Sequence, residues 1–95
     1  MSKDIVDLNK AIFTTKFVLE QKSKIVYVFR DDDDDWQFFG AEQNITEEDA
    51  RILSFEEILE IDPTLNEILW LPKGREAWFD LEKNKWEVGS GNGHL

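Results

Sequence analysis

The sequence predicts an α+β domain whose mostly antiparallel sheet of about five strands carries two short helices on one face. Three observations predict this class. Apolar and polar residues alternate in the first third and again near the end of the chain, which is typical of strands. Helical spacing replaces that alternation between residues 54 and 71. Four Trp and seven Phe supply the bulk of a core, so the two helices are expected between strands 3 and 4, packed on the sheet.

The 95 residues suffice for one compact core and are too few for a second. We therefore expect a single domain over residues 1–88 and a flexible tail, GSGNGHL, over residues 89–95. The chain contains no cysteine, and no segment approaches the roughly 18 apolar residues of a membrane span. A cytoplasmic protein, acting as a monomer, is the expectation.

Three strands are expected before residue 40. The segment AIFTTKFVL, residues 11–19, mixes β-branched and aromatic residues, and KIVYVFR, residues 24–30, resembles an inner strand with both faces buried. Five aspartates, Asp31–Asp35, follow directly. The next segment, WQFFG, places Trp36 and Phe38 on one face. The simplest account is a hairpin with the aspartates at its tip.

The helical part of the sequence contains three candidate starts. In ITEEDARILS, Thr46 precedes Asp49 by three residues, which indicates a short helical turn. In SFEEILEID, Ser54 and Glu57 have the spacing of a capping box. In DPTLNEILWL, Asp62 stands before a proline and repeats the arrangement. Two short helices are therefore predicted after residue 54.

The segment REAWFDLEKNKWEV predicts a second hairpin, turning at residues 82–84. Trp78 and Trp86 are expected near each other across it. We expect both Trp70 and Trp78 to fill the core beneath the connection between the helix and the strand. Trp70 falls at the end of its helix, slightly off the apolar face, and is a candidate contact residue if it is exposed.

The formal charge of −10 is concentrated in the middle of the chain. Residues 1–30 carry +3, residues 31–70 carry −13, and the remainder is neutral. Such a field repels phosphate groups, so neither a nucleic acid nor a membrane is expected as a partner. A basic protein or a cation is favoured instead.

Catalytic chemistry has few candidate groups in this sequence. His94 is the only histidine and lies in the predicted tail. Without cysteine or a second histidine, nucleophile–histidine systems and histidine-ligated zinc are disfavoured. No glycine-rich phosphate loop is present. We expect a non-enzymatic protein with no catalytic residue, no cofactor and no dedicated metal site; a carboxylate-based hydrolase would require a cleft with a buried acid.

The aspartate run admits several interpretations. Asp31, Asp33 and Asp35 match positions 1, 3 and 5 of an EF-hand loop, and Glu42 matches position 12. However, Trp36 occupies the position that requires glycine, and the flanks are strands, so an EF-hand is not predicted. A divalent-cation-binding module using the Asp31–Asp35 turn, a solvated turn with a purely structural role, and an acidic recognition surface all stay open.

The leading hypothesis is the acidic recognition surface. Dense negative charge accelerates encounter with a basic partner, and neighbouring aromatic residues can anchor the bound state. Trp36 is a candidate anchor, although a tryptophan at a strand start more often belongs to the core. The predicted partner-binding residues are Asp31, Asp32, Asp33, Asp34, Asp35, Trp36, Glu56, Glu57, Glu60 and Trp70. Mimicry of nucleic acid by this surface would differ only in the partner.

Two segments, IVYVFRDDDDDWQFFGAE and LSFEEILEIDPTLNEILWLPKGREAWF, together resemble a family of small bacterial proteins of unknown function. Its pattern is a hydrophobic strand, an acidic run and W-x-F-x-x-G or a close variant, then D-P-x-L, L-P-x-G and a terminal Trp. The resemblance covers roughly residues 12–88. The matching residues are Asp34, Asp35, Trp36, Phe38, Phe39, Gly40, Asp62, Pro63, Leu65, Leu71, Pro72, Gly74 and Trp86.

Such proteins are often grouped with immunity proteins of bacterial polymorphic toxin systems, which bind and neutralise a cognate toxin. The resemblance therefore implies a protein-binding inhibitor and names no catalytic residue. Asp34 stands where glycine or serine is common in the family, so a different hairpin turn is expected here.

Overall fold

The computed structural model describes residues 7–89, which form an α+β fold around one six-stranded sheet. The strands are β1 (Ala11–Thr15), β2 (Tyr27–Arg30), β3 (Trp36–Phe39), β4 (Ala50–Ser54), β5 (Arg75–Asp80) and β6 (Lys85–Val88). The helices are α1 (Lys16–Gln21) and α2 (Phe55–Ile61), with 3₁₀ helices at Glu47–Asp49 and Pro63–Ile68. The strand order is β4-β1-β3-β2-β5-β6. Neighbours are antiparallel except β1 and β3, which are parallel.

The first strand is shorter than the sequence predicted. It ends at Thr15, whose hydroxyl accepts a hydrogen bond from the backbone N–H of Val18, and α1 begins there. This N-cap satisfies one of the free donors of the first helical turn, so the apolar residues that follow adopt a helix. Lys22, in the left-handed conformation, ends α1. The prediction of a strand over residues 11–19 was wrong after Thr15.

The prediction omitted β4. The expected turn is present as the 3₁₀ helix Glu47–Asp49 with its capping box, but the next five residues pair antiparallel with β1, from Ala50 opposite Thr15 to Ser54 opposite Ala11. This pairing partner lies far away in sequence, so no local signal marked the strand. The sheet is mostly antiparallel, as expected, but it has six strands where about five were expected, and one of its pairs is parallel. The helices predicted between strands 3 and 4 therefore lie between β4 and β5.

Both predicted hairpins are present. Arg30 pairs with Trp36 across the aspartate turn, and β5 pairs with β6. The two tryptophans of the second hairpin, however, lie on opposite faces of the sheet, because Trp78 is opposite Glu87 whereas Trp86 is opposite Phe79. A difference of one residue in register places a side chain on the other face.

The core lies on one face of the sheet, called the inner face here. Inward strand residues form one cluster with the buried residues of the helices and of the segments beside them. The cluster comprises Ile12, Val18, Ile25, Val28, Trp36, Phe38, Phe55, Ile58, Leu65, Ile68, Leu71, Ala77, Phe79 and Trp86. The expected packing of the helices on one face is thus observed, and no helix within residues 7–89 has the length and apolar character to cross a membrane.

One backbone hydrogen bond continues the pairing of the last two strands past Val88. Gly89, which the sequence assigned to the tail, donates a hydrogen bond from its backbone N–H to Glu76 O at 2.8 Å. It therefore extends the pairing of β6 with β5. Residues 90–95, including His94, lie outside the described residues, as do residues 1–6.

Candidate functional site

The aspartate turn and the segment 70–74 lie at the same end of the sheet. Asp31–Asp35 join β2 to β3. The backbone N–H of Gly74 donates to Arg30 O at 2.7 Å, and an Arg30 Nη group donates to Leu71 O. These two hydrogen bonds place the start of β5 and the residues before it beside the turn.

The N-terminus of α2 lies at this end as well. Because β1 runs parallel to β3, its first residues are next to the start of β3, and Lys10 Nζ lies 3.9 Å from Asp34 Oδ2. Ser54 ends β4 opposite the first residue of β1 and caps α2. We call the region formed by residues 31–35, 54–57 and 70–74 the acidic end of the sheet.

Asp31 forms its hydrogen bonds within the turn itself. Its Oδ1 accepts hydrogen bonds from the backbone N–H groups of Asp33 and Asp35, both at 2.9 Å. Its own backbone N–H and C=O bond to Asp35 and Asp34 across the turn. An aspartate that bonds the backbone two residues ahead is a standard turn-forming device, so Asp31 holds the hairpin tip in shape.

Asp34 is the second internally engaged aspartate. Its backbone φ of +69° lies in the left-handed region, which glycine tolerates best and Asn or Asp next. Partial burial opposes ionisation, but the hydrogen bond and charge of Arg30 at 2.7 Å, with the charges of Lys10 and Lys73, lower the pKa of Asp34. These contacts favour an aspartate at a left-handed position that glycine would tolerate best.

Asp32 and Asp33 point outward. Both are exposed, and neither forms a salt bridge with a cation among residues 7–89. Asp35 is half-buried. Asp32 Oδ1 lies beside Gly74, whose φ of +78° is a backbone conformation that glycine tolerates best. The outward charge of the run therefore comes mainly from Asp32 and Asp33.

The two candidate tryptophans have different environments. Trp36 is only 2% exposed; its ring meets Phe55 edge-on at 5.0 Å, and the Arg30 guanidinium lies 5.2 Å from its centre. The prediction that Trp36 contacts a partner is therefore wrong: its side chain belongs to the core. Trp70 is 52% exposed, and its Nε1 donates to Glu67 O at 2.9 Å. That bond fixes an exposed indole at the acidic end.

The three helical glutamates do not form one site. Glu57 Oε1 accepts from Ser54 N at 2.8 Å, which completes the capping box of α2. Glu56 is exposed in the first turn of the helix, at the acidic end. Glu60 lies one turn further on, beside Asp62 and the groove at the other end of the sheet. Only Glu56 adds free negative charge to the aspartate turn.

The structure separates the groups proposed for a divalent cation. Glu42 follows β3, at the end of the sheet opposite to the turn, where its Oε2 accepts a hydrogen bond from Ser23 Oγ. It cannot join Asp31 and Asp33 in one coordination sphere. Among residues 7–89, no group of three or more His, Cys, Asp or Glu side chains is arranged to hold a metal ion.

A groove of about 500 Å³ lies at the opposite end, between the end of α1 and the end of α2. Asp62, a buried acid that the sequence did not indicate, borders it. Its Oδ1 accepts from the N–H and hydroxyl of Thr64, and its Oδ2 lies 2.8 Å from Lys24 Nζ. Because both oxygens are engaged, Asp62 acts as a structural ion-pair partner and helix cap.

Sequence reasoning missed an apolar surface on the outer face of the sheet, away from the core. Phe13 and Ile52 are directly opposite each other and both exposed, and Trp78 is 42% exposed on the same face. The prediction that Trp70 and Trp78 fill the core was wrong for both residues. The alternation in REAWFD, with Ala77 and Phe79 inward, could have placed Trp78 outward.

The class defined by this geometry is a small α+β domain with a six-stranded mixed sheet and helices on its inner face only, within residues 7–89. No family model, curated protein or solved structure matches the chain. The residues that carry the resemblance to the immunity-type family are largely structural here: Trp36, Phe38, Leu65, Leu71 and Trp86 are buried, and Gly74 adopts a left-handed turn.

Proposed function

We propose that this chain is a non-enzymatic, protein-binding domain that acts in the cytoplasm as a monomer. It binds a basic partner protein through its acidic end. The resemblance to immunity proteins suggests a toxin as that partner. Inhibition would be by occlusion: the carboxylates accelerate association, and exposed aromatic surface slows release.

The observation that supports this proposal best is the exposure of Asp32 and Asp33 at the hairpin tip without a salt bridge to any cation of residues 7–89. Two adjacent uncompensated charges repel each other in the free domain. A cationic partner would relieve that repulsion. Trp70, half exposed at the same end, offers a large anchor beside them.

The purely structural interpretation of the acidic loop has support of its own. Asp31 bonds two backbone N–H groups, and Asp34 pairs with Arg30. Their contacts within the turn are enough to explain why aspartate occupies these two positions. The proposal therefore rests on Asp32, Asp33 and Glu56, for which no such contact is seen among residues 7–89.

The test begins by identifying the partner through in-cell crosslinking with the tagged chain. Association kinetics then compare the wild type with Asp32→Asn/Asp33→Asn at low and physiological salt. Electrostatic steering typically raises association rates by a factor of 10 to 10³, so we expect roughly a tenfold slower association that is most visible at low salt, with an unchanged free energy of unfolding.

The matched control is Glu47→Gln/Glu48→Gln, which removes the same charge from exposed positions before β4, at the other end of the sheet. It should leave the association rate within about twofold of the wild type. Association that is indifferent to salt and to the Asp32/Asp33 change would refute the proposed role of the acidic end. An equal effect of the control would show that net charge alone matters.

A further inference from the structure

The outer face of the sheet is not covered by any element within residues 7–89. Both faces of this six-stranded sheet carry apolar side chains, but helices pack only on the inner face. A sheet with an apolar face normally buries it against a second layer. Within the described part of the chain, the outer face is therefore a surface without a covering layer.

Strand register shows that two rows of mostly apolar residues cross the outer face. Ile52 on β4 lies opposite Phe13 on β1, which pairs with Gln37 on β3 and continues to Phe29 on β2. A second row runs through Phe39, Tyr27 and Trp78 on β3, β2 and β5. Residues directly opposite each other share a face, so a mostly apolar surface, interrupted by Gln37 on β3, extends across five strands. Ile52, which is 64% exposed, is the most exposed member of these rows.

Carboxylates border this surface along β5 and β6. Glu76, Asp80 and Glu87 alternate with inward residues and share the outer face with Lys85. Glu87 Oε2 is shielded from solvent and has no hydrogen-bond partner among the described residues; the nearest cation, Lys83 Nζ, is 4.0 Å away. The Glu87 side chain is 34% exposed and its ion pair with Lys83 is long, so its negative charge is only partly compensated and favours a cationic ligand.

Trp78 connects the apolar surface to this carboxylate margin. It lies opposite Glu87 across the β5–β6 pair. A Cβ on Gly89 would lie 2.7 Å from Trp78 Cζ3, so the ring lies against the glycine backbone, close to the Glu76 side chain. An exposed indole next to two carboxylates is suited to a ligand that combines apolar and cationic groups.

A second copy of the chain fits this surface poorly. Five strands at about 4.8 Å spacing and about four residues of about 3.3 Å each give a footprint of roughly 300 Å² per copy. Both copies together would cover roughly half of the 1,200 Å² or so that a stable interface needs. Two chains of formal charge −10 would also repel each other.

We propose that the outer face is a docking surface for a cationic amphipathic segment of a partner protein. Its apolar side chains would cover Phe13, Ile52 and Trp78, and its Lys or Arg side chains would reach Glu76 and Glu87. The inference rests on the proposed function, because it assigns a second surface to the same basic partner. Lys and Arg suit this role, since their apolar stems pack while the charged ends reach polar groups.

Three synthetic peptides test the surface by titration into the ¹⁵N-labelled chain, followed by amide chemical shifts. The probe is an amphipathic helix of Leu and Lys. One control replaces each Lys with Glu, and the other replaces each Leu with Ser. We expect shifts in β4, β1, β2 and β5 with the Leu/Lys peptide, and at least tenfold weaker binding of either control, which corresponds to about 1.4 kcal/mol.

The variant Ile52→Ser should weaken binding of the Leu/Lys peptide about tenfold, because it removes the most exposed apolar side chain of the surface. Its matched control is Leu81→Ser, which alters a residue that is 71% exposed in the β5–β6 turn, outside the apolar rows. Both positions are exposed, so the fold should be retained, which amide spectra of the free variants verify directly.

Other outcomes would overturn the inference in distinguishable ways. Shifts confined to residues 31–35 and insensitive to Ile52→Ser would leave the acidic end as the only binding surface, and the proposed function would stand. If the Ser/Lys peptide bound as tightly as the Leu/Lys peptide, charge alone would account for the binding. Self-association in sedimentation that Ile52→Ser abolishes would make a second copy the occupant. Absence of binding by the Leu/Lys peptide would remove the docking surface, while the salt test at Asp32 and Asp33 would still decide the proposed function.

Discussion

Arg30 Nε donates a hydrogen bond to Asp34 Oδ1 across 2.7 Å, so the run of five aspartates is partly neutralised by the strand that precedes it. The same guanidinium contacts Leu71 O and lies over the Trp36 ring. Arg30 thus links the turn, the segment before β5 and the core. The aspartates of the run therefore have different roles. Asp31 and Asp34 maintain the turn, whereas Asp32 and Asp33 carry the outward charge.

The first prediction concerns the internal bonds of the turn. Asp31→Ala removes the acceptor of two backbone N–H groups and should lower the free energy of unfolding by about 1–2 kcal/mol. Asp33→Ala, one of the exposed positions, should change it by less than about 0.5 kcal/mol. Urea denaturation measures both. Equal losses in the two variants would contradict the structural role of Asp31.

The second prediction concerns the contribution of Asp34 to stability at low pH. The pKa of Asp34 is lowered in the folded chain, so its contribution is present above the ordinary aspartate pKa of about 3.9 and is lost as pH falls through the folded pKa. Asp34→Asn keeps a residue that accepts the left-handed conformation. It should cost less than about 1 kcal/mol at pH 7, because the pair is partly exposed, and nothing at a pH well below the folded pKa.

Thermal unfolding across the acid range measures this difference. Asp33→Asn is the control, since its carboxylate has no salt bridge within the described residues. A gap between wild type and Asp34→Asn that persists unchanged into strong acid would show that the ion pair is not its source.

The third prediction uses the only tyrosine in the chain. The pKa of Tyr27 is raised to about 12, mainly because the side chain is partly buried. The hydrogen bond from its hydroxyl to Glu76 Oε1 at 2.6 Å and the negative charge of Glu76 raise it further. Absorbance of the tyrosinate ion should therefore appear well above the ordinary pKa of about 10. In Glu76→Gln, the midpoint should fall towards 10 without reaching it, because the burial persists.

The sign of the stability effect follows from the same shift. The folded chain holds Tyr27 in its neutral form, so this contribution is complete below about pH 10 and is lost as pH rises from the unfolded pKa towards about 12. A wild-type midpoint near 10 before unfolding would contradict the Tyr27–Glu76 contact. Tyr27→Phe should show no such alkaline transition.

The fourth prediction concerns the buried acid at the groove. Asp62→Ala removes the Lys24 ion pair and the cap on Thr64 together, and should lower the free energy of unfolding by about 2 kcal/mol or more. Asp62→Asn retains an oxygen for the cap and should cost less. Glu60→Ala changes an exposed neighbour on α2 and should have little effect. Guanidinium denaturation ranks the three variants, and an equal cost for Glu60→Ala would be inconsistent with the bonds seen at Asp62.

Local patterns predicted the parts of the fold that neighbouring residues decide. Ser54 and Glu57 form the expected capping box, and Asp62 caps the next helix. The alternation in WQFF placed Trp36 and Phe38 on the buried face correctly. In each case the partner groups lie within a few residues of each other, so spacing alone determines the geometry.

The candidate site was less predictable, because burial and long-range pairing decided it. Trp36 and Trp78 each lie on a strand, yet Trp36 packs on Phe55 while Trp78 is exposed, since the two residues project to opposite faces of one sheet. The pairing of β4 with β1 across about 40 residues exposed Ile52 beside Phe13. No local signal distinguishes an exposed Ile52 from a buried one.

The amino-acid sequence by itself determined the α+β class, the two hairpins, the caps and a charge distribution that favours a cationic partner, because these depend on composition and on contacts between near neighbours. Tertiary structure alone decided which aspartates face outward and which hold the turn, since Arg30, Lys10 and Lys73 reach Asp34 from three separate parts of the chain. It also decided which aromatic residues are exposed, because a sheet with helices on one side covers only the residues that point towards them.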